Sequence, residues 1–335
     1  MKQWKKRLLA AATGLLVSGL IAEVTARAVL GKPIPECYPQ VRYVPHPERG
    51  FGLVPGDRSF TYDCEVRVNT HGLRGPEIRA KQPGEFRVLL IGDSLTFGHG
   101  VHEEETIGAF LRAELEREEP RDRGSYLVIN AGHQGFATRQ EVDLFVELGE
   151  TLQPDLVLML WLWNDIQEKI VTRPPKGSAP PPPVSYPLAT PFSFTARQWA
   201  RKSAFFLWLN DLDLGTRFPP EDSIRRALER VDRQLARFAQ HARQQGIRPA
   251  FVILPDAKAL VHPNPTLEID ARAGELARAH GLPVLSAADA VRTAIEQNAS
   301  LPVLAFDGHY DGVGNAAIAR GIAEGLIEEG LLSGR

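Results

Sequence analysis

The sequence predicts an α/β domain built on a doubly wound parallel sheet, extended at its N-terminus and carrying a Pro-rich helical insertion. Short apolar runs alternate with segments of helical period, as they do where each strand is followed by a crossover helix. The runs are apolar throughout instead of every second residue, as strands buried on both faces require. The 335 residues, 43% hydrophobic and 24% charged, are those of a globular chain with a sizeable core.

Taken in order, residues 1–32 read as a signal peptide or a membrane anchor. Lys2, Lys5, Lys6 and Arg7 precede an apolar run from Leu8 to Ala22, too short for a comfortable span yet at the upper edge of a signal-peptide core. Ala26-Arg27-Ala28 offers a small-x-small cleavage site, with Glu23 and Arg27 awkwardly placed before it. Extended to Leu30, the segment is an uncleaved anchor with snorkelling charges. Either way the basic flank stays in the cytoplasm, and the rest is exported. The chain is then anchored facing the periplasm or extracellular side, or secreted after cleavage near Ala28.

Residues 33–85 form an N-terminal extension rich in Pro, Gly and Arg, with a strand or hairpin around Glu65 to Thr70. The main domain occupies residues 86–331. Its predicted strands are Arg87–Ile91, Tyr126–Asn130, Asp155–Trp161, Ala250–Leu254 and Pro283–Leu285. Helices are expected at about 106–118, 138–152, 221–245, 267–280, 287–297 and 313–329. The pattern breaks in an insertion at about 171–246, where eight prolines fall between Pro174 and Pro191 and exclude helix or sheet interior. The aromatic stretch Trp199–Leu209 within it reads as core, lid or membrane-contacting surface, with lid preferred.

Net charge divides unevenly. Residues 1–32 carry +5 and residues 33–335 carry −7. An acidic body lacks the basic footprint of a nucleic-acid binder. Cys37 and Cys64 are the only cysteines, and an oxidising compartment would permit them to pair. With no Cys-x-x-Cys and no His-x-x-x-His, the sequence calls for neither a metal nor a cofactor.

The chemistry-bearing residues follow the predicted strands. Gly92-Asp-Ser-Leu95 comes directly after the first, putting Ser94 at a strand-to-helix junction where open α/β sheets hold their ligands. The helix dipole there favours a developing oxyanion, although Asp93 or Ser94 as an ordinary helix cap would look the same. No Walker loop and no Gly-x-Gly-x-x-Gly is present.

Four blocks together resemble the SGNH hydrolases, also called the GDSL esterase and lipase family, over about residues 86–166 and 248–331. They are Gly92-Asp-Ser-Leu95, Asn130-Ala-Gly-His-Gln-Gly135, Asn164-Asp165, and Asp307-Gly-His-Tyr310 followed by Gly314. The resemblance implies a flavodoxin-like sheet with Ser94 as nucleophile, His309 as general base and Asp307 as the acid that orients it. It also implies an oxyanion hole of the Ser94 and Gly135 N–H groups and the Asn164 side chain, with Gly132 a turn residue. Two features depart from the family pattern. Leu162 stands where glycine is usual, which bears on the approach of Asn164 and on the acyl pocket. Acid and base are spaced Asp-x-His instead of Asp-x-x-His, as in the alginate O-acetyltransferase relatives. In extended chain, residues i and i+2 point the same way, so a carboxylate at Asp307 reaches the base; Asp311 is the rival on the other side.

His99 and His133 flank the expected site and read as loop hydrogen-bonders or substrate contacts. Asp165 reads as a turn cap, and Trp161 and Trp163 as core or acyl-pocket lining. The function expected is hydrolysis of carboxylic esters, of lipids or acetylated glycans, through an acyl-serine. The alternatives are an O-acyltransferase acting on an envelope polysaccharide with the same triad, and a non-catalytic carbohydrate-binding module.

Overall fold

A computed structural model describes residues 3–119, 124–167, 184–185, 200–211 and 219–332. The chain divides into a larger unit of residues 36–186, 218–303 and 309–335, and a smaller one of residues 1–35, 187–217 and 304–308. The first element, helix α1 (Gln3–Leu30), belongs to the smaller unit.

The larger unit begins with the extension, folded as two antiparallel pairs: β1 (Arg42–His46) with β2 (Gly50–Leu53), and β3 (Arg58–Thr61) with β4 (Cys64–Arg67). The main sheet follows, with β5 (Phe86–Gly92), β6 (Tyr126–Asn130), β7 (Leu156–Trp161), β9 (Arg248–Ile253) and β10 (Val284–Ser286). All pairs are parallel, in the order β10-β9-β7-β5-β6. In order of appearance that is 2-1-3-4-5 read from the β6 edge, the flavodoxin-like winding, which reverses between β5 and β7. Every residue of β5 and β7 is buried, as their apolar runs require, and Arg87 near the start of β5 is buried with them, paired with Glu85.

Alternate residues of these strands feed two cores. Leu89, Ile91, Val157, Met159, Trp161 and Phe251 face one side, against α4 (Thr138–Leu152), α6 (Glu221–Gln245) and α8 (Thr266–Ala279). Val88, Leu90, Leu156, Leu158, Leu160 and Val252 face the other, against α3 (Ile107–Glu118), α9 (Ala288–Asn298) and α10 (Gly312–Glu328). Each such apolar side chain, fully buried, contributes roughly 1.5–3 kcal/mol. The helix α6, which the sequence assigned to the insertion, takes the place of the crossover helix between β7 and β9. Val41, Tyr43, Phe51 and Val66 of the extension join the first core, so extension and sheet share one interior.

Of the Pro-rich segment only Val184–Ser185 is described, as the short strand β8 paired with β1; the other residues of 168–199 lie outside the described residues, Trp199 among them. Cys37 and Cys64 are both free thiols. Burial pushes the Cys64 thiol up to about 11, and its sulfur contacts the Gly100 carbonyl at 3.5 Å.

In the smaller unit, α1 is long and apolar enough to cross a membrane by length and composition. Its partner is α5 (Ala204–Asp211), the described part of the aromatic stretch. The loop Leu304–Gly308 clusters with them.

Candidate active site

The nucleophile candidate sits on one turn of helix, α2 (Ser94–Phe97), immediately beyond the end of β5. Gly92 makes the turn possible: a Cβ there would lie 2.1 Å from the Thr96 hydroxyl and 2.7 Å from the Leu160 carbonyl. Asp93 is the N-cap, its Oδ1 accepting from the Leu95 N–H at 2.9 Å. Gly98, at φ 85°, closes the turn in the left-handed region. Gly132 admits the next loop, since a Cβ there would lie 2.2 Å from the Phe97 nitrogen. Asn130 ties that loop down, donating to the Phe97 carbonyl at 3.3 Å and accepting from the Gly132 N–H at 3.0 Å.

Beneath α2 lies a residue that sequence reasoning missed. The Arg74 side chain, from the extension, is fully buried and donates to the carbonyls of Phe97 at 3.1 Å, Gly98 at 2.6 Å and Val101 at 2.8 Å. Its Nε pairs with Glu103 at 3.0 Å. Phe97 and Gly98 end the turn, where a helix leaves its last carbonyls without partners of its own, and Val101 lies in the loop beyond.

His309 precedes α10 and brings its Nε2 to 2.8 Å from the Ser94 Oγ, across 215 residues of sequence. Its neighbour Tyr310 anchors it, with the ring buried and the hydroxyl donating to the Pro255 carbonyl at 2.7 Å. Asp311 is the N-cap of α10 and accepts from the Gly314 N–H at 3.0 Å. Asp307 lies in the smaller unit, where it stands in the field of Arg201. The residue before it, Phe306, holds φ at 62°, an uncommon and strained conformation for a bulky side chain.

Asn164 follows β7 in a short 3₁₀ turn and donates from Nδ2 to the Asp93 Oδ2 at 3.0 Å. Asn164 and Ser94 thus flank the point where the winding reverses. An amide nitrogen carries two hydrogens, so the bond to Asp93 uses one and sets the direction of the other. Gly135, at φ 77°, lies in the loop after β6, the strand on the other side of β5. Leu162, half-buried, packs on the second core, and its N–H donates to the Asp165 Oδ2 at 2.8 Å. Asp165 is therefore a turn cap. Trp161 is core, fully buried with its indole N–H donating to the Thr138 hydroxyl at 3.0 Å, and Trp163 packs at the edge of that core.

The two flanking histidines part company. His133 is buried, stacked on Phe136 at 4.5 Å, and burial together with the Arg49 charge pushes it down to about 3, so it stays neutral. His99 packs its ring against His309, centroids 4.6 Å apart. The extension holds it there: the Thr61 hydroxyl lies 2.9 Å from its Nδ1, and the Tyr62 ring packs at 5.1 Å. The Gln134 amide also meets Nδ1 and itself accepts from the Tyr43 hydroxyl.

Carboxyls are concentrated near Ser94. Burial raises Glu141 well above the usual carboxylate range, and the charge of Asp93 adds to it. Burial does the same to Asp165, with Glu141 and Asp93 contributing. Glu141 was also missed, though its spacing from Phe145, Leu148 and Leu152 puts it on the apolar face of α4.

No family model matches the chain, and no curated protein does. Several solved structures resemble it in part. That of TesA is 16% identical with a TM-score of 0.44, covering 73% of this chain and 99% of its own. The psychrotrophic esterase EstA from Pseudoalteromonas sp. is 12% identical with a TM-score of 0.44, over 72% and 97% of the two chains. Axe2, an acetylxylan esterase from Geobacillus stearothermophilus, is 15% identical with a TM-score of 0.42, over 75% and 97%. At these identities the likeness is confined to the path of the chain.

Proposed function

We propose that this chain is a serine ester hydrolase of the SGNH type, anchored by α1 on the outer face of a cytoplasmic membrane and acting on carboxylic esters, acetylated glycans among them. The observation that carries the proposal is the 2.8 Å approach of the His309 Nε2 to the Ser94 Oγ, at the carboxyl end of β5. A serine hydroxyl is a weak nucleophile at neutral pH and needs such a base within hydrogen-bond reach.

In the first step the Ser94 Oγ attacks the ester carbonyl while His309 takes its proton. The tetrahedral oxyanion is met by the first-turn N–H of Ser94, by the second hydrogen of the Asn164 amide and by the Gly135 N–H. Each such donor is worth about 100- to 1000-fold in rate. His309 then protonates the departing alkoxide, which leaves as the alcohol, and an acyl-Ser94 ester remains. Water attacks in the second step, giving its proton to His309, and the acid is released with Ser94 restored. Asp307 is assigned as the orienting acid because Asp311 already caps α10 and because Asp307 precedes the base by only two residues; the chain there turns, with Phe306 and Gly308 both at positive φ, where the sequence alone suggested extended chain.

Purified full-length chain should release p-nitrophenol from a short acyl ester, and Ser94→Ala should abolish the release. Equal turnover by the variant would refute the assignment. Replacing water by a glycan hydroxyl as acceptor would turn the same acyl-serine toward transfer, and an acceptor titration distinguishes the two.

A further inference from the structure

The charges that sit awkwardly near the end of α1 have partners. The Glu23 Oε2 accepts from the Ser203 hydroxyl at 2.7 Å and the Phe205 N–H at 3.0 Å, and its Oε1 accepts from the Ala204 N–H at 3.1 Å. Arg27, one turn further along, donates from Nε to Glu23 at 2.6 Å and from Nη2 to the Lys202 carbonyl at 2.5 Å. The N–H groups of Ala204 and Phe205 are the first of α5 and have no acceptor within their own helix. A carboxylate there also meets the positive end of the helix dipole. Glu23 therefore caps a helix that follows it by some 180 residues, and Arg27 locks the cap.

The geometry points to α5 as an interfacial helix: we propose that it lies in the outer headgroup layer of a lipid bilayer, clasped by Glu23 and Arg27 where α1 emerges, and that α1 is retained in the working protein. This rests on the reading of α1 as an anchor. The run Leu8 to Ala22 rises about 22 Å in helix and Gln3 to Leu30 about 42 Å, against roughly 30 Å of hydrocarbon, so Glu23 falls at the boundary. Aromatic side chains are favoured at that depth, and α5 presents Phe205, Phe206 and Trp208, the first and last with ring centroids 5.8 Å apart. Trp208 and Leu209 are exposed, as are Leu20, Ile21 and Val24 on α1, so the apolar surface of the spanning helix continues onto the capped one. Arg27, Arg201 and Lys202 at the same end match phosphate headgroups in charge. Cleavage near Ala28 would remove both members of the clasp and leave the α5 N–H groups without their carboxylate.

The test uses the full chain, reconstituted in phosphatidylcholine–phosphatidylglycerol vesicles whose acyl chains are brominated either near the headgroup or near the chain end. The fluorescence of the parent minus that of Trp208→Phe isolates Trp208. Shallow bromine should quench it at least about twofold more than deep bromine, as for a ring at the interface. The mass of the chain purified from membranes should include residues 1–28. Glu23→Ala and the milder Ser203→Ala should lessen the quenching while the chain stays in carbonate-washed membranes. Trp208 unquenched by either lipid, or a mature chain that begins after Ala28, overturns the proposal. Release of the chain by carbonate overturns the anchor reading and the proposal with it. Labelling of Ser94 by a fluorophosphonate on the same vesicles reads the catalytic proposal separately.

Discussion

Replacing Arg74 by methionine keeps most of its volume and removes every donor. The guanidinium serves three carbonyls, of Phe97, Gly98 and Val101, and one carboxylate, Glu103. An unpaired buried acceptor costs about 1–3 kcal/mol, partly recovered because the variant no longer buries a cation. Burial already lowers the pKa of Arg74, a direct sign of that desolvation. The balance expected for Arg74→Met is a loss of about 3–5 kcal/mol, against a total stability on the order of 5–15 kcal/mol. In a domain of this size that corresponds to a fall in Tm of roughly 10 °C. Arg74→Lys should recover only part, since a single ammonium cannot serve three diverging carbonyls. Because the Phe97 and Gly98 carbonyls end the turn that bears Ser94, kcat on the p-nitrophenyl ester should fall more than KM rises. Differential scanning fluorimetry and steady-state kinetics on one preparation measure both. An unchanged Tm together with unchanged kcat would refute the bracing role.

Three further outcomes are expected. Burial, with the Asp256 charge, pushes Asp270 up to about 8, so its folded state prefers the proton. Stability from this group is complete below about pH 4 and is lost as pH rises toward about 8. Asp270→Asn should therefore melt higher than the parent at pH 8, by the equivalent of a few kcal/mol, and equally at pH 4; a constant difference across that range would contradict it. His133 carries the opposite sign: held near 3, it favours folding above about pH 6.5 and loses that contribution as pH falls toward 3, so His133→Gln should flatten the acid side of the Tm profile. For the acid, Asp307→Asn should lower kcat by orders of magnitude with Tm kept, whereas Asp311→Ala should lower Tm by the equivalent of about 1 kcal/mol through the lost cap, and leave a substantial kcat; the reverse pattern would move the assignment to Asp311.

What could be read in advance follows from how local each cause is. The strands β5 and β7 declare themselves because a strand buried on both faces runs apolar along nearly its whole length; Arg87, at the start of β5, is the exception, its guanidinium taken up by Glu85 and by the Leu152 and Arg79 carbonyls. The place of Ser94 is legible because a strand cannot turn into helix so tightly without Gly92. Arg74 gives no such signal, for its partners lie more than twenty residues away and an arginine in a polar stretch looks like any surface arginine. Glu23 and Arg27 were visible as anomalies but unexplained, since the helix they cap stands beyond the Pro-rich segment. Glu141 was legible in principle: a carboxylate in step with Phe145, Leu148 and Leu152 is a buried carboxylate, whatever its neighbours do.

The extension reaches both members of the proposed proton-transfer pair. Arg74 fixes the carbonyl end of the turn whose first residue is Ser94. Thr61 and Tyr43, the latter through Gln134, fix the ring of His99, which in turn rests on His309. A proton moving over 2.8 Å tolerates little error in either partner, and misplacement by about 1 Å can cost 100-fold. The two braces work by different physics. Arg74 acts through directed hydrogen bonds that resist rotation of the Ser94 turn, whereas the His99 contact acts through packing that resists tilting of the His309 ring. Tyr310, with its hydroxyl on the Pro255 carbonyl, holds the same histidine from its backbone side. Residues 36–85 are therefore part of the body that holds Ser94 and His309 in place. A chain cut back to Phe86 would keep the residues of the proposed site, yet lack both the apolar side chains that the extension adds to the first core and the groups that keep Ser94 and His309 within reach of each other.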